Sequence, residues 1–350
     1  MTSAVVRGPG RGLEVVSSRM PTPAPGQVRV EVVASGMCGA DLGTVASSSS
    51  AYGFPLTPGH EIAGVVADLG EQVVGWRTGD RVAIGWFGGS CGHCTACRRG
   101  DLVHCPDRLV TGVSYPGGWA ESIIVPADAL ARISDQLTFA QAAPFGCAGV
   151  TTFNALRNAT LRPGSRVAVF GLGGLGHLAT QFATRMGHET VVIARGNDRE
   201  RWAVELGAHT YVDSTRCPPG VALGEMGGAD LIIATASSTE ATSALVDGLA
   251  IGGQLTLLGV DAGAIQVPVA RLVTRGQKIT GHLTGTPSDI EDAMAFAVTN
   301  GVEVIEEIYA LEDAAQALER LASGTARFRI VLEAAAAPRD REAFDDGGAR

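Results

Sequence analysis

The sequence has no apolar stretch approaching the ~20 residues that a membrane-spanning helix needs, and residues 1–12 lack the apolar segment of a secretory signal peptide. Runs of basic residues are also missing. With 27 Lys and Arg against 36 Asp and Glu, the formal net charge is −9, which argues against nucleic acid as the main partner. These absences predict a cytoplasmic protein that binds neither membranes nor nucleic acids.

Length and composition indicate a globular chain of two domains without internal repeats. The chain has 350 residues, whereas single cores stop growing at ~250–300 residues. In the first part, Val28, Val30 and Val32 alternate with polar residues, as in a half-buried strand. From about residue 151 strands alternate with helices, which predicts an α/β domain with a parallel sheet.

Four of the seven cysteines lie within fifteen residues, in two C-x-x-C steps followed by one further thiol. They are Cys91, Cys94, Cys97 and Cys105. Four thiolates at ~2.3 Å complete the tetrahedral shell of one zinc ion, which predicts a closed, structural site. The alternatives are unrelated thiols, a redox pair, or an iron–sulfur cluster, whose usual cysteine spacings differ. His93 and His104 lie inside this loop as spare ligands or as solvated side chains.

A second group of metal-binding side chain types is dispersed along the chain. Its members are Cys38, His60, Glu61 and Cys147. Each has an ordinary interpretation when taken alone, since a lone cysteine is usually a small buried apolar residue and a histidine beside a turn is usually just hydrogen-bonded. No spacing rule joins residues so far apart, so the residue types alone leave a joint site open.

A glycine-rich segment follows the predicted strand 166–170 and opens a helix, as a dinucleotide-binding motif requires. Its glycines are Gly171, Gly173, Gly174 and Gly176. NAD-binding chains place an acidic residue at the end of the next strand, ~20 residues further on. Here Ala194 has that position and is followed by Arg195 and Arg199, which predicts NADP(H) bound through its 2′-phosphate. Solvated arginines are the alternative, and Asp198 would partly offset their charge.

Taken in order, these motifs resemble those of the zinc-dependent medium-chain alcohol dehydrogenases, especially the bacterial and cinnamyl-alcohol type, over about residues 26–333. The resemblance implies a catalytic zinc held by Cys38, His60 and Cys147, with an open fourth position. It also implies that Glu61 can approach the metal transiently and that Asp41 orients the ligating histidine. Two zinc ions per chain are therefore expected, one catalytic and one structural.

The resemblance extends to fold and assembly. It implies a GroES-like mixed-β catalytic domain over 1–150 and 286–335, a Rossmann domain over 151–285, and a homodimer or homotetramer joined through the Rossmann sheet. Trp86 matches an aromatic residue of the pocket that binds the small-molecule substrate. Arg329 matches an arginine near the cofactor pyrophosphate, with Arg327 as the alternative.

The tail 336–350 is Ala-rich and then charged, which predicts disorder.

The chain departs from the family beside the first zinc cysteine. Where the family has a hydroxyl residue and often a histidine that pass the alcohol proton toward solvent, this chain has Ala40, on the substrate side, and Gly43. Either water or another hydroxyl replaces the relay, or the enzyme reduces a conjugated C=C or a C=N bond. Three hypotheses follow: NADP(H)-dependent alcohol/aldehyde oxidoreduction favouring carbonyl reduction, a 1,4-reductase or imine reductase, and a non-catalytic nucleotide-binding protein.

Overall fold

The computed structural model describes residues 1–47, 52–236, 238–260 and 263–334, so the tail predicted to be disordered lies outside the described residues. The chain forms two compact units. Within the described residues, the first unit contains Met1–Cys147, Thr286–Ala295 and residues 305–334, and the second contains Ala148–Gly285 and Phe296–Val304.

Seventeen strands form within the described residues. They are β1 (Thr2–Val6), β2 (Leu13–Ser17), β3 (Gln27–Met37), β4 (Glu61–Leu69), β5 (Arg81–Ile84), β6 (Phe87–Gly89), β7 (Leu109–Val110), β8 (Ser122–Pro126), β9 (Leu130–Arg132), β10 (Arg166–Phe170), β11 (Glu189–Ala194), β12 (Thr210–Asp213), β13 (Ala229–Ala234), β14 (Leu249–Leu257), β15 (Lys278–Gly281), β16 (Glu306–Ala310) and β17 (Arg329–Glu333).

The same part of the chain forms eleven α-helices. They are α1 (Gly39–Ala46), α2 (Thr95–Arg98), α3 (Phe139–Ala142), α4 (Ala148–Arg157), α5 (Gly176–Arg185), α6 (Glu200–Glu205), α7 (Pro219–Glu225), α8 (Thr239–Leu245), α9 (Val269–Arg275), α10 (Pro287–Asn300) and α11 (Ala314–Ala322). A short 3₁₀ turn, Ala143–Gly146, directly precedes Cys147.

The second unit is built on a six-stranded parallel sheet with strand order β12-β11-β10-β13-β14-β15. This is the order of a doubly wound Rossmann sheet. Strand β10 is buried on both faces, with Val167, Ala168 and Val169 all at 0% exposure, because helices cover a parallel sheet on either side. The strand–helix alternation of the sequence therefore predicted this sheet correctly.

The first unit contains a mixed seven-stranded sheet along the path β16-β17-β3-β4-β5-β9, with β8 also paired to β3. The predicted alternation in β3 is present: Val28, Val30 and Val32 are buried in the core of this unit. Antiparallel pairing places Gly36 of β3 opposite Glu61 of β4, and Met37 opposite Ile330 of β17. This register brings the end of β3 and the starts of β4 and β17 to one place, where the candidate site lies.

The unit boundaries differ from the sequence expectation in two places. Residues 148–150 and 296–304, which the sequence analysis assigned to the catalytic domain, group with the second unit. An aromatic cluster accounts for the second difference, since the Phe296 ring centroid lies 5.5 Å from that of Phe153 and 5.8 Å from that of Phe182. Among the described residues, no helix combines the length and apolar character needed to cross a membrane.

Candidate metal centres and cofactor-binding loop

The four clustered cysteines converge in the first unit. Their Sγ atoms lie 3.5 Å apart for Cys94 and Cys97, 3.6 Å for Cys91 and Cys105, 3.9 Å for Cys94 and Cys105, and 4.0 Å for Cys91 and Cys97. Four sulfur ligands at ~2.3 Å from one tetrahedral ion lie about 3.8 Å from one another. The cluster therefore has the dimensions of a single-ion site. A cluster of two or four irons would hold at least some of its thiolates further apart, because they bind different irons.

Backbone N–H groups of the loop donate hydrogen bonds to three of these sulfurs. Cys94 caps the N-terminus of α2, where its Sγ accepts a hydrogen bond from the backbone N–H of Cys97 at 3.5 Å. The N–H of Cys94 donates to Cys91 Sγ at 3.4 Å, and that of Cys91 to Cys105 Sγ at 3.5 Å. Donors of this kind favour the thiolate, which is the metal-binding form.

The two histidines of the loop have other partners. His93 Nδ1 lies 2.7 Å from the Cys91 carbonyl oxygen, and His104 Nδ1 lies 2.7 Å from Asp101 Oδ1. Both imidazoles are exposed, as expected of solvated side chains.

The dispersed residues also come together, on three different elements of the first unit. Cys38 precedes α1, His60 and Glu61 stand at the start of β4, and Cys147 follows the 3₁₀ turn. One potential ligand atom from each of the four lies within 4.8 Å of the others. The Sγ atoms of Cys38 and Cys147 are 3.9 Å apart, close to the same tetrahedral spacing.

Asp41 fixes the orientation of the His60 ring. Its Oδ1 lies 3.0 Å from His60 Nδ1, and its Oδ2 accepts the backbone N–H of Cys38 at 2.8 Å. With the Nδ1 proton directed at a carboxylate, Nε2 presents a lone pair. His60 Nε2 is buried and has no hydrogen-bond partner in the described parts of the chain, as expected of an atom that binds a metal.

Glu61 is fully buried and paired with an arginine from the far end of the sequence. Arg329 Nη2 donates to Glu61 Oε2 and, at 2.8 Å, to the carbonyl oxygen of Met37. Glu61 Oε1 is buried without a hydrogen-bond partner among the described residues. Burial raises the pKa of Glu61 to about 7, although Arg329 opposes this shift. The structure thus buries Arg329 against Glu61, and its predicted contact with a cofactor pyrophosphate stays a prediction.

The environment of Cys38 also favours the thiolate. Its pKa is held well below the usual value, chiefly by the hydrogen bond with Cys147 and, against the effect of burial, by the nearby His60. The pKa of Cys147 is raised well above its usual value by the same hydrogen bond and by burial, because the two sulfurs resist being ionised together. A divalent cation between them would remove that conflict.

In the second unit, the glycine-rich segment links β10 to α5, and its three motif glycines differ in their surroundings. Gly171 has φ +99°, which glycine adopts without strain. At Gly176, a Cβ would lie 1.9 Å from the Gly171 carbonyl oxygen, so the helix can approach the turn only because this residue is glycine. A Cβ at Gly173 would meet nothing within 4 Å, so there is open space beside this residue. Gly174 completes the loop, with its carbonyl oxygen 2.9 Å from His177 Nδ1.

The end of β11 carries the residues that the sequence analysis connected with a 2′-phosphate. Ala194 ends the strand and is buried, and Arg195 is exposed directly after it. Arg199 Nη1 donates to the carbonyl oxygen of Leu172, which lies between two motif glycines. The arginine-bearing turn therefore touches the glycine loop.

Comparison with known proteins identifies the family. The model for the alcohol dehydrogenase GroES-like domain matches residues 24–135, and that for zinc-binding dehydrogenase matches residues 174–299. Alcohol dehydrogenase patD of Penicillium expansum is 40% identical over 329 residues, covering 94% of this chain and 96% of its own. An alcohol dehydrogenase of Geobacillus stearothermophilus is 35% identical over 341 residues, covering 95% and 99%. A solved cinnamyl alcohol dehydrogenase of Sorghum bicolor has a TM-score of 0.85 at 29% identity, covering 95% of this chain and 97% of that one.

The chain belongs to the zinc-dependent medium-chain alcohol dehydrogenase family. As a member of this family it is an oxidoreductase, and its predicted fold class is confirmed: a GroES-like unit with a mixed sheet and a Rossmann-like unit with a parallel sheet.

The residues expected around the substrate of this medium-chain alcohol dehydrogenase are present in the first unit. Ala40 and Gly43 lie on an exposed part of α1, and neither side chain can transfer a proton. Trp86 is half-buried, and its backbone N–H donates to the carbonyl oxygen of Gly146, just before Cys147. The guanidinium of Arg108 lies 5.7 Å from the centroid of the Trp86 ring.

Sequence reasoning missed several residues that shape the open cluster, which consists of Cys38, His60, Glu61 and Cys147. A Cβ at Gly36 would lie 2.2 Å from Glu61 Oε2, and one at Gly146 would lie 2.7 Å from the Ile84 carbonyl oxygen. At Gly59, with φ +99°, a Cβ would lie 2.4 Å from the buried ring of Trp119. Each glycine directly precedes a cluster residue or pairs with one. That proximity was a usable signal, but the abundance of 47 glycines concealed it.

Proposed function

We propose that the protein is a zinc-dependent oxidoreductase that transfers a hydride between NADP(H) and an alcohol or aldehyde, favours carbonyl reduction, and holds a second, structural zinc. One observation carries the catalytic part of the proposal. His60 Nδ1 is engaged by Asp41, while the buried Nε2 has no partner in the described chain and belongs to a cluster with two thiols. A histidine prepared in this way fits a metal ion.

In this proposal Cys38, His60 and Cys147 hold the catalytic zinc, and Glu61 is a transient fourth ligand. When bound, this ion supplies Lewis-acid polarisation of a carbonyl oxygen, and the nicotinamide supplies the hydride. Asp41 keeps the imidazole in the ligating tautomer through its 3.0 Å contact. The contact with Arg329 offsets part of the rise in the pKa of Glu61 that burial causes, and so favours its ionised form. The four-cysteine cluster holds the structural zinc, since its four thiolates leave no open position.

The preference for NADP(H) rests on the end of β11. Ala194 offers no carboxylate to a ribose 2′-hydroxyl, and the exposed Arg195 offers a cation to a 2′-phosphate. Losing an arginine–phosphate contact costs ~1.5–3 kcal/mol, or roughly tenfold or more in affinity. Replacing Ala194 with Asp together with Arg195→Gln should shift kcat/KM toward NADH. Equal kcat/KM for NADPH and NADH in the wild type would contradict this preference.

The missing relay affects the rate in both directions. Oxidation must remove a proton from the alcohol, carbonyl reduction must deliver one to the alkoxide, and a positioned proton-transfer group typically contributes 10²–10⁴-fold. Ala40 and Gly43 supply no such group, so proton transfer is slowed in both directions. We attribute the preference for carbonyl reduction to the equilibrium, which favours the alcohol near neutral pH because reduction takes up a proton. The missing relay also supports a second candidate, 1,4-reduction of a conjugated C=C bond or reduction of an imine.

Deuteride-labelled NADPH and an α,β-unsaturated aldehyde separate these chemistries. Label at the carbonyl carbon identifies carbonyl reduction, which we expect, whereas label at the β-carbon identifies 1,4-reduction. A parallel assay with a cyclic imine tests C=N reduction. Absence of NADPH oxidation with every aldehyde, enal and imine, in protein loaded with zinc, would point to a non-catalytic nucleotide-binding protein.

Assembly and location complete the proposal. We infer a homodimer or homotetramer joined through the Rossmann sheet, because β15 is the last strand on the sheet path and Val269 and Val273 on the preceding helix are exposed. Light scattering coupled to gel filtration tests this. A cytoplasmic location agrees with seven free cysteines, six of which must stay reduced to bind the two proposed zinc ions.

A further inference from the structure

Side chains of the neighbouring strand β12 form hydrogen bonds with the turn after β11. The two strands pair in parallel, with Ala194 beside Asp213 and Val192 beside Tyr211. Because side chains alternate along a strand, Tyr211 and Asp213 project from the same face of the sheet. Both reach the same residue of the turn, Gly196.

Gly196 has both of its backbone polar groups engaged. Its N–H donates to Asp213 Oδ1 at 2.8 Å, and its carbonyl oxygen accepts the Tyr211 hydroxyl at 2.5 Å. Its φ of +74° is a left-handed conformation that favours glycine. A residue held at both ends of its backbone fixes the direction in which the chain leaves the strand, and therefore the position of Arg195 immediately before it.

The carboxylate of Asp213 is itself fixed by further hydrogen bonds. Asp213 Oδ1 also accepts the backbone N–H of Thr215 at 2.9 Å and its hydroxyl at 2.7 Å. The hydrogen bonds from Thr215, followed by that from Gly196, lower the pKa of Asp213, so this group is ionised at neutral pH. Its negative charge is stabilised by two backbone N–H donors and the Thr215 hydroxyl.

The far end of the turn is tied to the glycine loop. Arg199 donates to the Leu172 carbonyl oxygen, and the N–H of Glu200 donates to the carbonyl oxygen of Asn197 at 3.1 Å as α6 begins. The turn 195–199 is therefore fastened to β12 on one side and to the pyrophosphate-binding loop on the other. Arg195 therefore projects from a segment that is held through the backbone of Gly196 on one side and through the side chain of Arg199 on the other.

We propose that Tyr211 and Asp213 are specificity-determining positioning residues, which hold the turn so that Arg195 meets the 2′-phosphate of the cofactor. The inference rests on the NADP(H) preference proposed above. A long, flexible arginine gains affinity when its backbone is fixed before binding, because less conformational freedom is lost in the complex. Tyr211 and Asp213 act only through Arg195, so their effect is confined to ligands that carry the 2′-phosphate.

The test measures Kd for 2′,5′-ADP and for 5′-AMP by calorimetry on the zinc-loaded enzyme. These fragments differ only in the 2′-phosphate. For Tyr211→Phe, which removes one hydrogen bond, we expect the ratio of Kd for 5′-AMP to Kd for 2′,5′-ADP to fall roughly two- to tenfold. Asp213→Ala should lower it at least as far, whereas Asp213→Asn should retain most of it, because the amide oxygen still accepts the Gly196 N–H. With NADPH the loss should appear in KM and not in kcat.

A double variant and a matched control distinguish positioning from general damage. In an Arg195→Gln background, Tyr211→Phe should change the ratio no further, because both substitutions act on one contact. Tyr309→Phe, on β16 of the other unit, is the control for loss of a tyrosine hydroxyl and should leave the ratio unchanged.

The possible failures are separable. An unchanged ratio in both Tyr211→Phe and Asp213→Ala, including equal weakening of the two fragments, overturns this inference while leaving the NADP(H) preference of the wild type intact. A wild type that binds 5′-AMP and 2′,5′-ADP equally overturns that preference and this inference with it.

Discussion

The contact between Gly36 and Glu61 predicts that Gly36→Ala damages the first unit. The register of β3 and β4 places these residues opposite each other, and a Cβ at Gly36 would lie 2.2 Å from Glu61 Oε2 and 3.0 Å from Glu61 Cβ. Oε2 is the atom that accepts the hydrogen bond from Arg329. The carboxylate must therefore move away from its guanidinium partner.

The expected loss follows from burial of the pair. The side chains of Arg329 and Glu61 are 3% and 0% exposed, so water cannot replace the lost contact. A hydrogen bond to a charged group contributes ~1.5–3 kcal/mol, and a buried charge left without its partner costs ~3–5 kcal/mol. We expect unfolding of the variant to be easier by about 3 kcal/mol, or roughly 6–12 °C in Tm for a unit of this size.

Gly43→Ala is the matched control. This glycine lies in α1, and a Cβ there would meet nothing within 4 Å. Alanine is favoured over glycine inside a helix by ~0.5–1 kcal/mol, so the control should be as stable as the wild type or slightly more stable. Both variants would be compared by scanning calorimetry and urea unfolding at equal zinc content. A Gly36→Ala protein whose Tm equals that of the control would falsify the claim that the Glu61–Arg329 pair needs the space at Gly36.

Three further predictions concern other parts of the first unit. Cys97→Ser should remove one equivalent of zinc and lower Tm, because structural zinc contributes folding free energy. The control Cys217→Ser should change neither quantity. A wild type that contains only one zinc contradicts the two-site proposal. Ala40→Ser should raise alcohol turnover near neutral pH, and no change would mean that a solvent path moves the proton. Arg320 holds the pKa of Glu307 below its usual value, so their pair stabilises above about pH 4.3 and this stability is lost as pH falls through the lowered pKa; Glu307→Gln should flatten the dependence of Tm on acidic pH, and an unchanged profile contradicts it.

The features that the sequence predicts well are those whose partners lie close together in the chain. The four-cysteine loop spans fifteen residues, so its spacing alone limits the geometry of the sulfurs. The glycine loop is equally local, since strand, turn and helix follow one another and the conformational needs of Gly171 and Gly176 are met within six residues. Parallel-sheet strands also reveal themselves locally, as short apolar runs separated by helices.

The open cluster could not be predicted from the residue types alone, because its contacts depend on strand register. Glu61 and Arg329 are 268 positions apart, and they meet because β3 lies between β4 and β17. A one-residue slip in either pairing would turn the side chains to the opposite face of the sheet. Resemblance to a family supplied the ligand set, but it assigned Arg329 to the cofactor and gave no indication that this arginine is buried against Glu61.

Charge balance explains why so many ionisable groups can be buried together at the open cluster. With the proposed divalent cation bound, the two thiolates and the cation would be neutral as a group, as are ionised Glu61 and Arg329. The remaining carboxylate, Asp41, is stabilised by two N–H donors, the backbone of Cys38 and the ring of His60. Arg329 therefore does for Glu61 what the proposed cation would do for the thiols. Moving the Glu61 carboxylate between Arg329 and that cation would leave the net charge of the buried site unchanged.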